Sequence, residues 1–138
     1  MFEKKLKENE IGEIFKILDK AIENNTRIIL LQGDLASGKT TLVQQYIKSK
    51  NINLQATSPT FNLVQQYDNF YHYDLYHHSL EKFINLGLLE QLEDQNIHFI
   101  EWGEDGLANI LKNSGYNYLT IKITKAQNYR IYKVIQNG

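Results

Sequence analysis

The feature that most constrains this chain is an eight-residue segment: Gly33-Asp34-Leu35-Ala36-Ser37-Gly38-Lys39-Thr40. It has the pattern G-x-x-x-x-G-K-T, with an apolar run before it at 27–32 and a helix-compatible run after it at 41–48. A strand, a glycine-bounded loop and a helix form the context in which this pattern binds phosphate. The segment therefore predicts a phosphate-binding P-loop (a Walker A motif), and the required flanking elements make the alternative, a chance match, rare.

Each part of this motif has a chemical role. Gly33 and Gly38 permit a tight backbone path along which successive N–H groups wrap a polyphosphate. The helix that starts near Lys39 adds unpaired amides and the positive end of its dipole. We expect Lys39 to reach the β- and γ-phosphates and the Thr40 hydroxyl to ligate Mg²⁺, while Thr41 offers another hydroxyl or amide.

Length and composition predict one globular domain, 1–138, and exclude several classes of protein. A chain of 138 residues suits a single domain that buries roughly two-thirds of its unfolded surface. Fifteen basic and 16 acidic residues give a net charge of −1, so any RNA contact would be local or through a partner. The chain has no cysteine, no signal-peptide core and no apolar stretch near the ~20 residues that span a bilayer. A soluble cytoplasmic protein is the default expectation.

Hydrophobic periodicity predicts the remaining elements. Helices are expected at 9–24, 40–49, 79–94 (where Gly87 can break the helix) and 104–112. Strands are expected at 27–32, 60–67, 70–76, 97–100, 117–124 and 129–135. This order predicts an α/β fold, a P-loop NTPase-like three-layer sandwich with a mixed central sheet and helices on both faces. The antiparallel strands are expected at one side of that sheet.

Two carboxylates are candidates for the cation site of a magnesium-bound nucleotide. Glu101 directly follows the apolar strand 97–100, as in a Walker B pattern. It would lie at the carboxyl end of that strand, where open α/β sheets bind their ligands. The alternative is a solvated acid at a strand end. Asp74 lies in an aromatic-rich strand and shares a face with His72 by alternation. An unpaired charge there would be costly, so Asp74 is expected to be either paired or functional.

Three further features allow a functional and a structural interpretation. In Ser58-Pro59-Thr60-Phe61, the only proline makes Ser58 extended, so Thr60 could act as a switch threonine, although such a segment is more often a turn. Trp102 is either a packing anchor or a contact that responds to nucleotide or to a partner. The histidines at 72, 77 and 78 have no cysteines beside them, which favours surface or satisfied side chains over a metal cluster.

Taken together, these motifs resemble the TsaE family (also called YjeE), small P-loop ATPases of bacterial tRNA threonylcarbamoyladenosine biosynthesis. That family has, in order, G-D-L-G-A-G-K-T-T, S-P-T-F/Y, D-L-Y and E-W-P/A-E. The corresponding segments are 33–41, 58–61, 74–76 and Glu101-Trp102-Gly103-Glu104. The resemblance extends over nearly the whole chain in order, spacing and length.

The resemblance implies ATP and Mg²⁺ as cofactors. It assigns the phosphates to one run of the loop: Leu35, Ala36, Ser37, Gly38, Lys39 and Thr40. It implies that Thr40 and Glu101 hold Mg²⁺, that Asp74 lies near the metal and is needed for turnover, and that Thr60 acts in a switch-like loop. Trp102 is then a neighbour of the nucleotide.

Two more positions match the family only loosely. Arg130 corresponds to a C-terminal Gly-Arg near the nucleotide, and the segment around Asn9 corresponds to a contact with the base. Three residues depart from the family pattern: Ala36 replaces a glycine, which matters if that position needs a positive φ. Gly103 replaces Pro or Ala, and His77 replaces an arginine.

The resemblance implies slow ATP hydrolysis that acts as a switch on partner proteins. These partners are TsaB and TsaD, which modify ANN-decoding tRNAs, so this chain would meet tRNA only indirectly. The sequence itself has no evident arginine finger beside the motifs, which favours slow turnover until a partner docks. A small-molecule P-loop kinase is one alternative, although the chain has only Arg27 and Arg130 and no lid-sized insertion. A non-catalytic, nucleotide-dependent binding module is the other.

Overall fold

A mixed β-sheet forms the middle layer of the computed structural model, which describes residues 2–54, 63–76 and 78–137. The strands within these ranges are β1 (Phe2–Leu6), β2 (Ile28–Gln32), β3 (Val64–Tyr67), β4 (Phe70–Asp74), β5 (Ile97–Glu101), β6 (Tyr118–Lys125) and β7 (Arg130–Asn137). Their order across the sheet is β1-β7-β6-β2-β5-β4-β3. The neighbours β6, β2, β5 and β4 are parallel.

The antiparallel strands lie at both edges of the sheet, so the prediction of a single antiparallel side is wrong. On one edge β3 pairs with β4 through the turn at 68–69, where Asp68 has a φ of 53°. On the other edge β7 pairs with β6 and also with β1, a strand that periodicity did not predict. β1 has five residues with three charged side chains, a composition common in edge strands but weak as a strand signal.

Helices cover both faces of the sheet, which confirms the predicted three-layer α/β architecture. They are α1 (Gly12–Glu23), α2 (Lys39–Ser49), α3 (Leu80–Asn85), α4 (Leu88–Gln91) and α5 (Asp105–Asn113), with a 3₁₀ turn at Glu8–Glu10. Gly87, with a φ of 76°, separates α3 from α4 at the predicted break. Within the described ranges, no helix has the length and apolarity needed to cross a membrane.

The central strand β2 contributes to two hydrophobic cores because its four apolar residues are all buried. Ile29 and Leu31 pack with α1 and α2, whereas Ile28 and Leu30 pack with α3, α4 and α5. Such double-sided burial fixes the sheet rigidly between its helices. Because β2, β4 and β5 are parallel, their carboxyl ends meet at one edge, and the loop after β2 lies at that edge.

Candidate nucleotide-binding site

The loop between β2 and α2 has the backbone conformation that the motif predicts. Gly33 and Gly38 have φ values of 147° and 112°, in a region that favours glycine. A Cβ added at Gly33 would lie 2.5 Å from the carbonyl oxygen of Ile123. Both glycines are therefore needed for the backbone path of the loop.

Ala36 occupies a left-handed position with a φ of 61°. The position at which the family pattern has glycine therefore does take a positive φ in this chain. An L residue with a Cβ is strained there. The loop keeps its path despite that cost.

The Lys39 side chain is buried and its ammonium is held inside the loop. Nζ donates to the carbonyl oxygens of Gly33 at 2.6 Å and Asp34 at 2.8 Å. It also lies 3.9 Å from the centre of the Trp102 ring, a cation–π contact. Burial lowers the pKa of Lys39, and the negative charges of Glu101 and other nearby acids oppose that shift.

Glu101 ends β5 with a carboxylate that is only 3% exposed. The Thr40 hydroxyl lies 2.8 Å from its Oε1 and 2.7 Å from its Oε2 and donates to this carboxylate. His72 Nε2 forms a short hydrogen bond with Oε2. The start of α2 and the end of β5 are thus joined at the position that the Walker A and B patterns predict.

Asp74 lies beside Glu101 in the register of β4 and β5, but it is exposed. The argument that its charge is buried among aromatic residues is therefore wrong. The strand ends at Asp74 because Oδ1 accepts a hydrogen bond of 3.1 Å from the backbone N–H of Tyr76, which turns the chain. Asp74 is nevertheless close enough to Lys39 for its charge to oppose the lowering of the Lys39 pKa by burial.

Trp102 anchors the end of β5, as one of its two interpretations predicts, and its ring also lies at the loop; its response to nucleotide or to a partner stays a prediction. Its backbone N–H donates to the carbonyl oxygen of Leu31 at 2.9 Å, which anchors the end of β5 to β2. Its ring contacts Lys39 and lies 4.8 Å from the ring of Tyr76. Trp102 itself has a left-handed φ of 63°.

Arg130 begins β7 and lies against the loop. A Cβ at Gly38 would be 2.9 Å from Arg130 Nε, a buried atom with no hydrogen-bond partner among the described residues. Arg130 and Glu8 line a cavity of about 180 Å³. Asn9 is exposed in the 3₁₀ turn next to Glu8, so the two loosely matched segments lie on the same side of the loop.

The other predicted residues have simple placements. Ser37 is buried, Thr41 is exposed at the start of α2, and Leu35 is 67% exposed. Thr60, with the rest of 58–61, and His77 lie outside the described residues.

His72 is the residue near the site that sequence reasoning missed. The interpretation as a satisfied histidine is correct, since it is 6% exposed and bonded to Glu101. Alternation had already placed it on the face of Asp74. What the sequence did not provide was the neighbouring strand, which brings Glu101 within reach of the ring.

In the part of the chain that the structure describes, no group of three His, Cys, Asp or Glu side chains could hold a metal unaided. The available donors are a hydroxyl, a buried carboxylate and an exposed carboxylate from Thr40, Glu101 and Asp74. Mg²⁺ commonly takes one or two carboxylates and completes its shell with water and substrate phosphates. The donor set therefore fits Mg²⁺ that is shared with a nucleotide.

The fold and the loop define a P-loop protein of the α/β class. The family model described as "Threonylcarbamoyl adenosine biosynthesis protein TsaE" matches residues 6–132. The chain belongs to the TsaE family, whose members act in tRNA threonylcarbamoyladenosine biosynthesis.

Relatives that carry the name tRNA threonylcarbamoyladenosine biosynthesis protein TsaE agree with this assignment. The Rickettsia felis protein is 43% identical over 105 residues, which cover 70% of this chain and 59% of the relative. For the Rickettsia typhi protein the identity is 41%, with 70% of each chain covered. The Bacillus subtilis protein is 28% identical over 113 residues, covering 73% of this chain and 71% of the relative.

A solved structure supports the fold. The crystal structure of Bacillus subtilis YdiB superposes with a TM-score of 0.62 at 22% identity. The match covers 99% of this chain and 87% of YdiB.

Proposed function

We propose that the chain binds ATP with Mg²⁺ in the cytoplasm and hydrolyses it slowly, as a switch on the partners TsaB and TsaD. One observation carries this proposal: the Thr40 hydroxyl bonds to the buried Glu101 carboxylate while Lys39 lies inside the loop. A lysine, a hydroxyl and an acid in this arrangement are the parts that P-loop NTPases use on a magnesium-bound triphosphate.

Phosphate binding follows from the loop and the start of α2. The helix begins at Gly38 without a side-chain cap, so its first amides are open to an anion. Lys39 exchanges its carbonyl partners for phosphate oxygens, which offer a full negative charge and a stronger hydrogen bond.

Thr40, Glu101 and Asp74 would hold the cation. When bound, Mg²⁺ neutralises charge on the β- and γ-phosphates. Glu101 accepts from Thr40 and so orients the Thr40 hydroxyl oxygen, while the exposed Asp74 would hold water near the γ-phosphate. These roles agree with the family resemblance, in which Asp74 is needed for turnover.

Slow hydrolysis and the need for partners have a structural rationale. The two arginines of the chain have other contacts. Arg27 lies outside the loop and donates to the carbonyl oxygen of Gln95 at 2.6 Å, and Arg130 lies against Gly38. Among the described residues, neither arginine is hydrogen-bonded to or paired with Asp74 or Glu101. Leu35 and Tyr76 are exposed beside the loop, at 67% and 43%, and offer apolar contacts to a docking protein.

The test is ATP turnover by the purified chain, alone and with saturating TsaB and TsaD. We expect slow phosphate release that rises sharply with both partners, and loss of turnover in Asp74→Ala and Glu101→Ala. A rate unchanged by the partners would contradict the switch. ATP consumption that depends on a phosphate acceptor would instead favour a kinase, and variants that bind ATP without turnover yet still support tRNA modification would favour a binding module.

A further inference from the structure

We propose that His72 is a positioning residue that sets the rotation of the Glu101 carboxylate at the cation site. The inference rests on the proposed binding of a magnesium nucleotide. It concerns a side chain that is hydrogen-bonded to Glu101 and that, among the described residues, makes no hydrogen bond to the phosphate loop or to Thr40. Its role would therefore be exerted through Glu101.

Thr40 and His72 bond to the Glu101 carboxylate in different ways: Thr40 lies at similar distances from both oxygens, whereas His72 bonds to one of them. Thr40 Oγ1 is 2.8 Å from Oε1 and 2.7 Å from Oε2, and its single hydrogen does not distinguish the two oxygens. His72 bonds only to Oε2. Because an ionised carboxylate only accepts, Nε2 carries the donated hydrogen. His72 thus fixes Oε2 and leaves the lone pairs of Oε1 for a cation.

The sheet explains why this histidine is available. Asp74 is opposite Glu101 in the parallel register, and His72 lies two residues earlier on the same face of β4. His72 and Glu101 are therefore diagonal neighbours across the two strands. The exposed Asp74 ends β4, and the His72 ring, two residues earlier, is only 6% exposed. Thr40, His72, Asp74 and Glu101 all line a cavity of about 230 Å³.

A purely structural role is the competing explanation, since any bonded histidine and carboxylate that are buried stabilise a fold. The chain offers a matched control at the other end of β5. His98 is fully buried, with its Nε2 2.7 Å from Asp94 Oδ1 and its Nδ1 2.7 Å from the Tyr73 hydroxyl. Loss of that pair would weaken the fold without touching Glu101.

The experiment uses two amides that differ in reach. Gln can place its side-chain N–H near the original Nε2 of His72, whereas Asn is one carbon shorter and cannot. Binding of a fluorescent ATP analogue is titrated with Mg²⁺, and also measured in EDTA, for wild type, His72→Asn, His72→Gln and His98→Asn. Thermal unfolding is followed for each protein.

We expect His72→Asn to raise the half-maximal Mg²⁺ concentration by roughly 10–100-fold, the usual effect of losing a hydrogen bond to a metal-binding carboxylate. Binding in EDTA should not change, because among the described residues His72 makes no hydrogen bond to the phosphate loop. His72→Gln should stay near wild type, and His98→Asn should lower the melting temperature while its Mg²⁺ midpoint stays at the wild-type value.

Equal Mg²⁺ midpoints for His72→Asn and wild type would overturn the inference, as would equal shifts in His72→Asn and His98→Asn. If His72→Asn does not fold, His72→Phe, which keeps a ring but has no N–H donor, is compared with His72→Gln. A Mg²⁺ midpoint raised about 10-fold or more in His72→Phe alone supports the inference, and equal midpoints in the two variants overturn it. Failure of the proposed function is distinct, because wild type itself would then not bind the analogue at any Mg²⁺ concentration.

Discussion

Replacing Ala36 by glycine should stabilise this protein, although the same exchange usually destabilises. The left-handed φ of 61° at Ala36 brings its Cβ against its own backbone, which costs about 1–2 kcal/mol. Ala36 is exposed, so little apolar contact is lost with the methyl group. Glycine gains entropy in the unfolded chain, which opposes the effect by about 0.4–1 kcal/mol. The net increase in the free energy of unfolding should be about 0.5–1 kcal/mol.

Urea denaturation measures this change without nucleotide. With a slope of about 1.5–2 kcal/mol per molar urea, Ala36→Gly should raise the midpoint by roughly 0.3–0.6 M at unchanged slope. Ala126→Gly is the control, because Ala126 lies in the turn between β6 and β7 and is not among the residues with positive φ. That variant should lower the midpoint. A midpoint that falls equally in both variants would refute the strain argument.

Two other predictions concern Trp102 and His98. MgATP should change the fluorescence of Trp102, because phosphate draws Lys39 out of the contact that lies 3.9 Å from the ring; an unchanged spectrum at saturation would contradict that exchange. Burial lowers the pKa of His98, and the nearby Asp94 opposes that shift. The unfolded state therefore binds the His98 proton more readily than the folded state, so the contribution of His98 to stability falls as the pH drops from 7 to 5. The urea midpoint should therefore fall less between pH 7 and pH 5 in His98→Gln than in wild type. The same change of midpoint with pH in both proteins would show that the pKa of His98 does not change on unfolding.

The loop and its flanking elements were predictable because each depends on local chemistry. Gly33 and Gly38 are needed where the backbone takes positive φ, and Lys39 follows at the first turn of the helix. An apolar-rich strand ending in Glu101 was equally visible, because β5 is buried on both faces and three of the four residues before Glu101 are apolar. Elements of this kind do not depend on knowing which strands are neighbours.

The errors arose where neighbours decide the outcome. Asp74 ends its strand through a local turn, so the aromatic residues around it in sequence do not bury its charge. For His72, alternation correctly predicted the face of β4 on which it lies, but it could not predict which strand lies beside β4. Only the order β2-β5-β4 puts Glu101 next to β4 and within reach of that ring.

Gly103 shows how a departure from a family pattern can follow from packing. A Cβ at this position would lie 2.8 Å from Leu30 Cδ2 and 3.1 Å from Leu30 Cβ, so a larger residue here would have to displace the Leu30 side chain. The close approach is reinforced by Gln32, whose side-chain amide donates to the Gly103 carbonyl oxygen at 2.7 Å. Because these contacts hold the turn after β5 against β2, the Trp102 ring can reach Lys39. Gly103 therefore allows the close packing that holds Trp102 beside the phosphate loop.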